Sequence, residues 1–387
     1  MPKVIYLWKG PYPWDVRVEK VCKALRDAGN EIHILARWGN ETVKNEIIDG
    51  LYITRAGFGI KQFFSLPISI NILWKNELNA LIDKIKPSLI IVREIMLGSL
   101  AGKAARQKGI PVIMDMAENY PAAMRDWKKY NKSMISKFAV HKLKLPDAAE
   151  SSSVRLMNGI ITVCDEQNDR LSENYGFSPK DIVAVHNTPP KQLIPEEPVI
   201  NREKPLVFGH HGNLTAEKDI GCFIKGFLYA AQVNNKLKLI ISGKGESYKD
   251  VEDIVTASKM RSSVELKGRY DYKALPAIIA NVDIGAVPYQ ISDFNNYTLH
   301  NKIFDYFAFG KPVIVSRAKP LVRVINETGA GVIADCTDPD KIKETIENLT
   351  KTNIVEMAHA AHKAALDKYN WDVDSKKLIG FIRRYLN

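Results

Sequence analysis

The sequence predicts an α/β protein of two doubly wound domains, each with a mostly parallel sheet covered by helices on both faces. Short β-rich runs alternate with helical patterns along the whole chain, which is typical of parallel sheets. A chain of 387 residues is also longer than one hydrophobic core usually holds. The alternation is interrupted by five prolines between Pro189 and Pro205, which predict a linker.

The first domain is expected to span residues 1–188. A helical pattern covers Val16–Ala28, and Gly29 is placed as its C-terminal stop. The predicted strands of this domain are Val4–Leu7, Glu31–Ala36, Leu89–Val92, Val112–Asp115, Gly159–Val163 and Ile182–His186.

The second domain is expected to span residues 206–367, after a linker at 189–205, and residues 368–387 are expected to form a tail helix. Two such domains leave a cleft between them, and clefts of this kind bind small molecules. Helices are predicted to begin at Ile220, Tyr248, Tyr272 and Asn301, and strands at Leu206–His210, Leu237–Ser242, Val264–Lys267, Ile284–Val287 and Val313–Ser316.

The composition excludes several classes of protein. With 45% hydrophobic and 26% charged residues the chain is expected to be globular and soluble. No uncharged apolar run reaches the length of about 18 residues that spans a membrane, and the N-terminus lacks the features of a signal peptide. The four cysteines are widely spaced, which argues against a zinc site or a disulfide framework and favours buried thiols in a reducing cytoplasm.

The net charge of +11 is concentrated in one stretch, Arg125–Lys144, where within the sequence only Asp126 opposes it. Such a surface suits nucleic acid, anionic lipid headgroups or a diphosphate-bearing substrate, and it also suits a solvated helix face. No helix-turn-helix, zinc finger or aromatic stacking motif supports nucleic acid, which is therefore not an expected partner. The basic residues are Arg125, Lys128, Lys129, Lys132, Lys137, Lys142 and Lys144.

The strongest local signal is the segment from Asn295 to Val313. An apolar helical face ends at Gly310 and Pro312, so the helix begins near Asn301. A helix N-terminus in a cleft suits an anion such as a diphosphate. Asp305 lies about one turn into the helix, where its carboxylate is suited to two ribose hydroxyls or, alternatively, to the helix dipole.

Two glycine-containing turns follow predicted strands at the edge where α/β sheets bind ligands. Gly212 and Asn213 precede Lys218, a compact positive charge suited to a departing phosphate. The second turn contains Gly243 and Gly245, which allow a close backbone approach. This second turn has neither P-loop nor G-x-G-x-x-G spacing, which counts against an NTPase and a dinucleotide dehydrogenase.

Taken in order, these motifs resemble the retaining glycosyltransferases of family four, which have the GT-B fold of two Rossmann-like domains facing a cleft and a C-terminal helix that returns to the first domain. The resemblance extends over nearly the whole chain. The matching segments are Tyr12–Arg17, Asp115–Glu118, His186–Asn187, Gly212–Lys218, Gly243–Gly245, Lys302–Val313 and Tyr369–Trp371.

The resemblance implies transfer of a sugar from a nucleotide diphosphate donor with retention and without a protein nucleophile. The sequence shows no reliable metal site, and no cofactor is expected. Lys218 and Lys302 would then stabilise the leaving diphosphate together with amides of Leu299–Asn301, and Glu118 would face the reacting sugar or acceptor. The other implied site residues are Asp305 at the ribose, Tyr297 or His300 at the donor sugar, Leu299 and Asn301 at the phosphates, and Lys9, Gly10, Asp15, Arg17 and Asp115 at the cleft.

Three positions depart from the family's pattern. Asn213 stands where the family has an Arg, Tyr297 where it has the first of two acids, and Ala117 where it often has a histidine. A divergent subfamily is favoured because Lys218, Asp305 and Glu118 remain. The alternatives are a non-catalytic nucleotide-sugar binding protein and a GT-B sugar-nucleotide epimerase.

The acceptor is predicted from a second surface. The segment Phe63–Trp74 is unusually apolar, and with Arg125–Lys144 it suits the inner face of a membrane and a lipid-diphosphate or glycan acceptor of bacterial surface polysaccharide synthesis. The alternative is ordinary core, because Ile72–Leu81 also fits a helix packed on the sheet.

Overall fold

A computed structural model describes residues 1–13, 15–200 and 206–386, with the Lys129 side chain excepted. The chain forms two compact units. The first contains Met1–Arg125, Ser133–Val185 and the residues from Asp374 onward, and the second contains Asp126–Lys132 and His186–Val373. Of the predicted linker 189–205, the described part belongs to the second unit, and 201–205 lies outside the described residues.

The first unit is built on an eight-stranded sheet of order β3-β4-β2-β1-β5-β6-β7-β8, parallel except for the antiparallel pair β3–β4. Its strands are β1 (Lys3–Leu7), β2 (Glu31–Arg37), β3 (Asn45–Ile48), β4 (Leu51–Ala56), β5 (Leu89–Arg93), β6 (Val112–Asp115), β7 (Gly159–Thr162) and β8 (Ile182–Ala184). The helices up to residue 185 are α1 (Val16–Asp27), α2 (Ile72–Ile85), α3 (Gly98–Lys108), α4 (Tyr120–Asp126), α5 (Lys128–Asn131), α6 (Met134–Lys137), α7 (Leu145–Val154) and α8 (Asp165–Tyr175).

The second unit has a six-stranded parallel sheet of order β11-β10-β9-β12-β13-β14. Its strands are β9 (Val207–His211), β10 (Lys238–Ser242), β11 (Val264–Gly268), β12 (Ile284–Val287), β13 (Val313–Val315) and β14 (Gly331–Ile333). The remaining helices are α9 (Gly221–Val233), α10 (Tyr248–Thr256), α11 (Leu275–Ala280), α12 (Lys302–Ala308), α13 (Lys319–Thr328), α14 (Pro339–Leu349), α15 (Ile354–Asp367) and α16 (Trp371–Arg383).

Each sheet has a point where the strand order reverses. In the first unit the chain runs outward from β1 through β2 and returns on the other side of β1 at β5. In the second it runs outward from β9 through β10 and returns at β12. In doubly wound sheets ligands bind at the carboxyl ends of the two strands that flank this reversal. The residues after β1 and β5, and after β9 and β12, are therefore the places to look for sites.

The predicted fold class is confirmed, with its strands present in order. Three strands were missed: β3, β4 and β14. The β3–β4 hairpin is solvent-exposed on alternate residues and lies at a sheet edge, so its apolar signal is weak. The helix predicted from Tyr272 is a short 3₁₀ turn followed by α11.

The end of the chain belongs with the first unit. Beyond α16, the Tyr385 hydroxyl donates to the Asn158 carbonyl at 3.1 Å, and the Arg384 guanidinium donates to the Lys180 carbonyl at 2.7 Å. These bonds hold the tail against β7 and the turn before β8, as expected for a returning C-terminal helix.

Among the described residues, no helix combines the length and the apolarity needed to cross a membrane.

Candidate functional site

The reversal in the second unit is lined by a buried group of aromatic and basic side chains. His210 and His211 end β9, and Tyr289 follows β12. The rings of Tyr289 and His300 lie 4.4 Å apart, centroid to centroid, and the Lys302 ammonium lies 5.7 Å from the Tyr289 ring. Residues distant in sequence thus meet at the edge where a ligand is expected.

Several polar atoms of this group lack a hydrogen-bond partner among the described residues. They are Nε2 of His210, Nε2 of His211 and the Tyr289 hydroxyl. An unsatisfied buried polar group costs about 1–3 kcal/mol, so natural proteins rarely retain several together without a ligand or water to satisfy them. This concentration marks the reversal as a candidate binding site.

The histidines at this reversal do not supply the positive charge of the candidate site. Burial, and then the nearby Lys302 ammonium, lower the pKa of His210 to about 3. Burial also holds the pKa values of His211 and His300 well below the ordinary range. The imidazoles are therefore neutral at pH 7, and the cationic charge at this edge belongs to lysines.

Lys302 and Lys218 are both half-buried here. Burial, and then the charge of Lys218, lower the pKa of Lys302 to about 7. Gly212 is shaped around this lysine: its φ is +104°, and a Cβ on it would lie 2.6 Å from the Lys302 Cε. Two half-buried ammonium groups whose charges act on each other favour an anion such as a diphosphate.

Asp305 lies on α12 beside this cationic pair. Its carboxylate is 3.7 Å from Nε2 of His211, too long for a hydrogen bond. Burial and then the Asp305 charge raise the pKa of Tyr270 to about 12. Asp305 also lines an apolar pocket of about 280 Å³ whose walls include Tyr272, Leu275, Pro276 and Phe309.

The two glycines of the second turn pack against the first turn. A Cβ at Gly243 would lie 1.8 Å from the Gly212 carbonyl oxygen, and one at Gly245 would lie 2.0 Å from the Leu214 carbonyl oxygen. These glycines let the two turns pack together, and the Gly212 amide donates to the Ser242 carbonyl at 2.8 Å. Their close backbone approach is to the protein itself.

The other predicted donor residues are placed unevenly. Leu299 and His300 are buried, whereas Asn213 and Asn301 are exposed. Asn301 precedes α12 without a side-chain capping bond. Tyr297 is half-buried, and the Lys319 ammonium lies 5.4 Å from its ring, so a cation occupies the surroundings of the position where the family has an acid.

In the first unit the predicted cleft residues Arg17 and Asp115 belong to a buried ion-pair network instead. Arg17 Nη2 donates to Asp115 Oδ1 at 2.9 Å, and the Tyr6 hydroxyl donates to Oδ2 at 2.7 Å. Arg17 and Asp115 are 2% and 0% exposed, so neither lines an open cleft. Although burial acts to raise the pKa of Asp115, the charges of Arg17 and Arg93 hold it below its ordinary value. Asp15 caps α1 by accepting from the Arg17 and Val18 amides.

Lys9 and Gly10 follow β1 at the reversal of the first unit. Lys9 donates to the Tyr120 hydroxyl, and its ammonium lies 4.2 Å from the Tyr120 ring. The Trp8 indole covers Gly10 so closely that a Cβ there would lie 2.7 Å from it. Glu118 follows β6 and is half-buried.

The first unit also contains a residue that sequence reasoning missed. Glu94 follows β5 directly, is 2% exposed, and has φ +69° and ψ 168°. The available signal was an acid at the end of the apolar run Leu89–Val92, on the strand edge where α/β sheets bind ligands.

Two family models match consecutive parts of the chain. The model described as Glycosyltransferase Family 4 matches residues 15–188, and the model described as Glycosyl transferases group 1 matches residues 205–352. The chain is therefore a glycosyltransferase with a family 4 domain followed by a group 1 domain. No curated protein sequence matches it.

Solved structures share the fold of this glycosyltransferase. Sucrose-phosphate synthase from Thermosynechococcus elongatus is 14% identical, with 99% of both chains covered and a TM-score of 0.77. Anabaena HepE in complex with UDP and glucose is 13% identical, with 99% of this chain and 100% of that one covered and a TM-score of 0.72. The lipopolysaccharide outer core galactosyltransferase WaaB is 13% identical, with 99% of both covered and a TM-score of 0.68.

Within the part of the chain that the structure describes, no group of three or more His, Cys, Asp or Glu side chains is arranged to hold a metal ion.

Proposed function

We propose that this glycosyltransferase moves a sugar from a UDP- or GDP-sugar, bound by the second unit, to a glycan or lipid-linked acceptor, bound by the first. The observation that carries the donor assignment is that Lys302, at the reversal of the second sheet, feels the charges of both Lys218 and Asp305. Two ammonium groups suit a diphosphate, and a carboxylate beside an apolar pocket suits a ribose and its base.

In this proposal Lys218 and Lys302 stabilise the negative charge that develops on the leaving diphosphate. Charge stabilisation at a partly desolvated site is worth more than in water, because the groups are already oriented when the bond breaks. The neutral His210, His211 and Tyr289, with their unsatisfied polar atoms, are suited to hydroxyl or phosphate oxygens of the donor. Retention of anomeric configuration is what the family-four match implies, and product NMR tests it.

Two of the structural relatives support the choice of substrates. HepE is described in complex with UDP-glucose, and WaaB as a lipopolysaccharide outer core galactosyltransferase. These names motivate a nucleotide-sugar donor and a bacterial surface glycan acceptor for this chain. A cytoplasmic enzyme that needs no metal or cofactor is part of the proposal, and undiminished transfer in EDTA tests the metal part.

The first unit carries a surface suited to a membrane. Apolar side chains are exposed in two segments: Phe63, Ile70 and Ile72 are 75%, 87% and 71% exposed, and Met134 and Ile135 are 89% and 84% exposed. The first segment precedes α2 and the second runs into α7, so both lie at the carboxyl edge of the sheet. Exposed Lys61, Lys137, Lys142 and Lys144 accompany them.

The earlier prediction of one basic stretch needs correction. Arg125 pairs with Asp147, and Lys128 lies 3.3 Å from Asp250, so acids distant in sequence oppose part of the charge. Asp126–Lys132 also groups with the second unit. From Trp74 onward, helix α2 buries its apolar side chains in the core, as the alternative interpretation of this segment predicted. The segment before it is exposed. We therefore restrict the membrane proposal to residues 60–72 and 133–145.

Flotation with lipid vesicles tests this surface. The wild type is expected to float with vesicles of phosphatidylcholine and phosphatidylglycerol, and less with phosphatidylcholine alone, because the surface combines apolar and basic groups. Replacing Phe63 and Ile70 by Ser is expected to release the protein. The control Val233→Ser removes an apolar side chain that is 68% exposed on the second unit. Equal flotation of all three proteins would exclude this surface as the contact.

The donor assignment is tested by thermal shift with UDP, GDP, ADP and their sugar conjugates. A ligand at about 100 times its Kd stabilises the folded state by about 2.7 kcal/mol, which is a measurable shift. We expect one nucleotide family to stabilise the wild type and the control Asp253→Ala, but not Asp305→Ala. Asp253 is an exposed acid of α10 in the same unit.

Other outcomes separate the alternatives. Binding without transfer or donor hydrolysis favours a non-catalytic nucleotide-sugar binding protein. Conversion of the donor to its epimer without an acceptor favours an epimerase. If no nucleotide binds, the donor assignment is wrong.

A further inference from the structure

The carboxyl end of β5 places Glu94 at the reversal of the first sheet. Strands β1 and β5 flank that reversal, and Lys9 follows β1 while Glu94 follows β5. Glu118 follows β6, the next strand. The three side chains therefore share the ligand-binding edge of the first unit.

The backbone of Glu94 is held in a conformation that side-chain-bearing residues rarely adopt. Its φ of +69° and ψ of 168° fall in a region that is occupied almost only by glycine. Glycine would relieve this strain, and the bond from the Glu94 amide to the Asp115 carbonyl at 3.1 Å is available to any residue but proline. A glutamate therefore has no structural advantage at this position.

The Glu94 carboxyl is buried and incompletely bonded. Its Oε1 lies 3.9 Å from Arg93 Nη2, beyond hydrogen-bond distance, and Oε2 has no partner among the described residues. The charged groups that face it are Arg93 on β5, Lys9 after β1, and Asp115 and Glu118 on or after β6. Burial is the largest influence and raises the pKa of Glu94 to about 8, against the attraction of Arg93 and Lys9.

A protonated carboxyl both donates and accepts a hydrogen bond, as a sugar hydroxyl does. With Glu94 neutral, the edge carries three cations (Lys9, Arg17, Arg93) and three carboxylates (Asp15, Asp115, Glu118). This balance favours an uncharged group over a phosphate. The half-buried Trp8 indole beside Arg93 is an aromatic ring of the kind that packs against a sugar ring.

We propose that Glu94, with Lys9 and Glu118, binds a hydroxyl group of a pyranoside acceptor at the reversal of the first sheet. This rests on the proposed function, and it adds both a residue and an acceptor class. Glu94 acts as a neutral hydrogen-bonding group that is kept in place by a strained backbone.

The test uses the full chain, the nucleotide sugar that stabilises it, and octyl glucosides and octyl galactosides of both anomers as acceptors. The variants are Glu94→Gly, Glu94→Gln and the control Glu173→Gln, an exposed acid of α8 in the same unit. The readouts are kcat/KM for the acceptor from pH 6 to 9, donor hydrolysis by water, and the nucleotide-induced shift in Tm.

For the wild type, kcat/KM for the acceptor is expected to fall above pH 8 as Glu94 ionises. Glu94→Gly should lower kcat/KM for the acceptor tenfold or more at every pH, because the hydrogen bonds to the bound hydroxyl are lost. The Tm of this variant should rise, because glycine relieves the backbone strain. Glu94→Gln should recover much of the loss and show no fall above pH 8. Donor hydrolysis and the nucleotide-induced Tm shift should remain unchanged in all variants.

Unchanged acceptor kcat/KM in Glu94→Gly would overturn the inference, and so would a Gln variant no better than the Gly variant. If no pyranoside accepts sugar while nucleotides still shift Tm, the acceptor class is wrong and the donor proposal stands. If nucleotides give no shift either, the proposed function itself fails.

Discussion

The cationic pair in the second unit predicts that donor binding takes up a proton. Burial and Lys218 lower the pKa of Lys302 to about 7 in the free protein. A bound diphosphate favours the charged form, so it raises that pKa and draws in a proton. Donor affinity should therefore increase as the pH falls through 7.

The magnitude follows from the charged fraction of Lys302. If only the charged form binds, the apparent Kd exceeds the intrinsic Kd by the reciprocal of that fraction. With a pKa of about 7, this factor is about 1.1 at pH 6 and about 11 at pH 8, so affinity should weaken about tenfold between them. At pH 7, binding should take up about half a proton per site.

Titration calorimetry measures both quantities. The ligand should be a nucleotide sugar, because its diphosphate diester has no group that titrates between pH 6 and 8. Heats in phosphate and in Tris buffer give the proton uptake. Lys302→Arg should bind without pH dependence, and the exposed Lys363→Met of α15 should behave as wild type. A Kd that is constant from pH 6 to 8, with equal heats in both buffers, would refute the reasoning.

Four other changes have defined outcomes. Lys302→Met should raise the Tm of the ligand-free protein near pH 6. The pKa of Lys302 is lower in the folded state than in the unfolded state, so this lysine destabilises the fold fully below pH 7 and no longer does so as the pH rises toward 10.5. An unchanged Tm would contradict this. Lys218→Met should lower kcat about a hundredfold in steady-state assays, whereas a change confined to acceptor KM would argue against leaving-group stabilisation. Asp115→Asn should cost about 3–5 kcal/mol in urea unfolding, because it leaves Arg17 buried without its counter-charge, and a loss below about 1 kcal/mol would mean that the network relaxes. Gly212→Ala should weaken donor binding in calorimetry, since its φ is +104° and its Cβ would displace Lys302, whereas wild-type affinity would show that the loop adapts.

Much of the fold was predictable from local pattern. Strands β5, β6, β7 and β12 are buried along their whole length because both faces of a parallel sheet are covered. The face of α12 that contains Ile303, Phe304 and Phe307 is buried as its helical spacing predicts. The exposed β3–β4 hairpin lacked this pattern, and so it was missed.

The candidate site was less predictable. Motif order predicted Lys218, Lys302 and Asp305 as donor-site residues, and in the structure the charges of Lys218 and Asp305 both act on Lys302. Tyr289 was missed, because its only sequence signal is an aromatic residue after a buried strand. Arg17 and Asp115 were assigned to a cleft, but charged residues at strand and helix ends can equally well pair inside the protein.

The sequence by itself determined the secondary structure, the two-sheet architecture and the family, because these depend on residue periods and motifs that are local in the chain. Only the tertiary structure decided which polar groups pair with each other and which remain unsatisfied. Pairing depends on distances between strand ends far apart in sequence, and burial then sets the protonation of Lys302 and Glu94. Arg17 and Asp115 pair with each other inside the protein, whereas Oε2 of Glu94 has no hydrogen-bond partner among the described residues, and sequence alone does not separate these two cases.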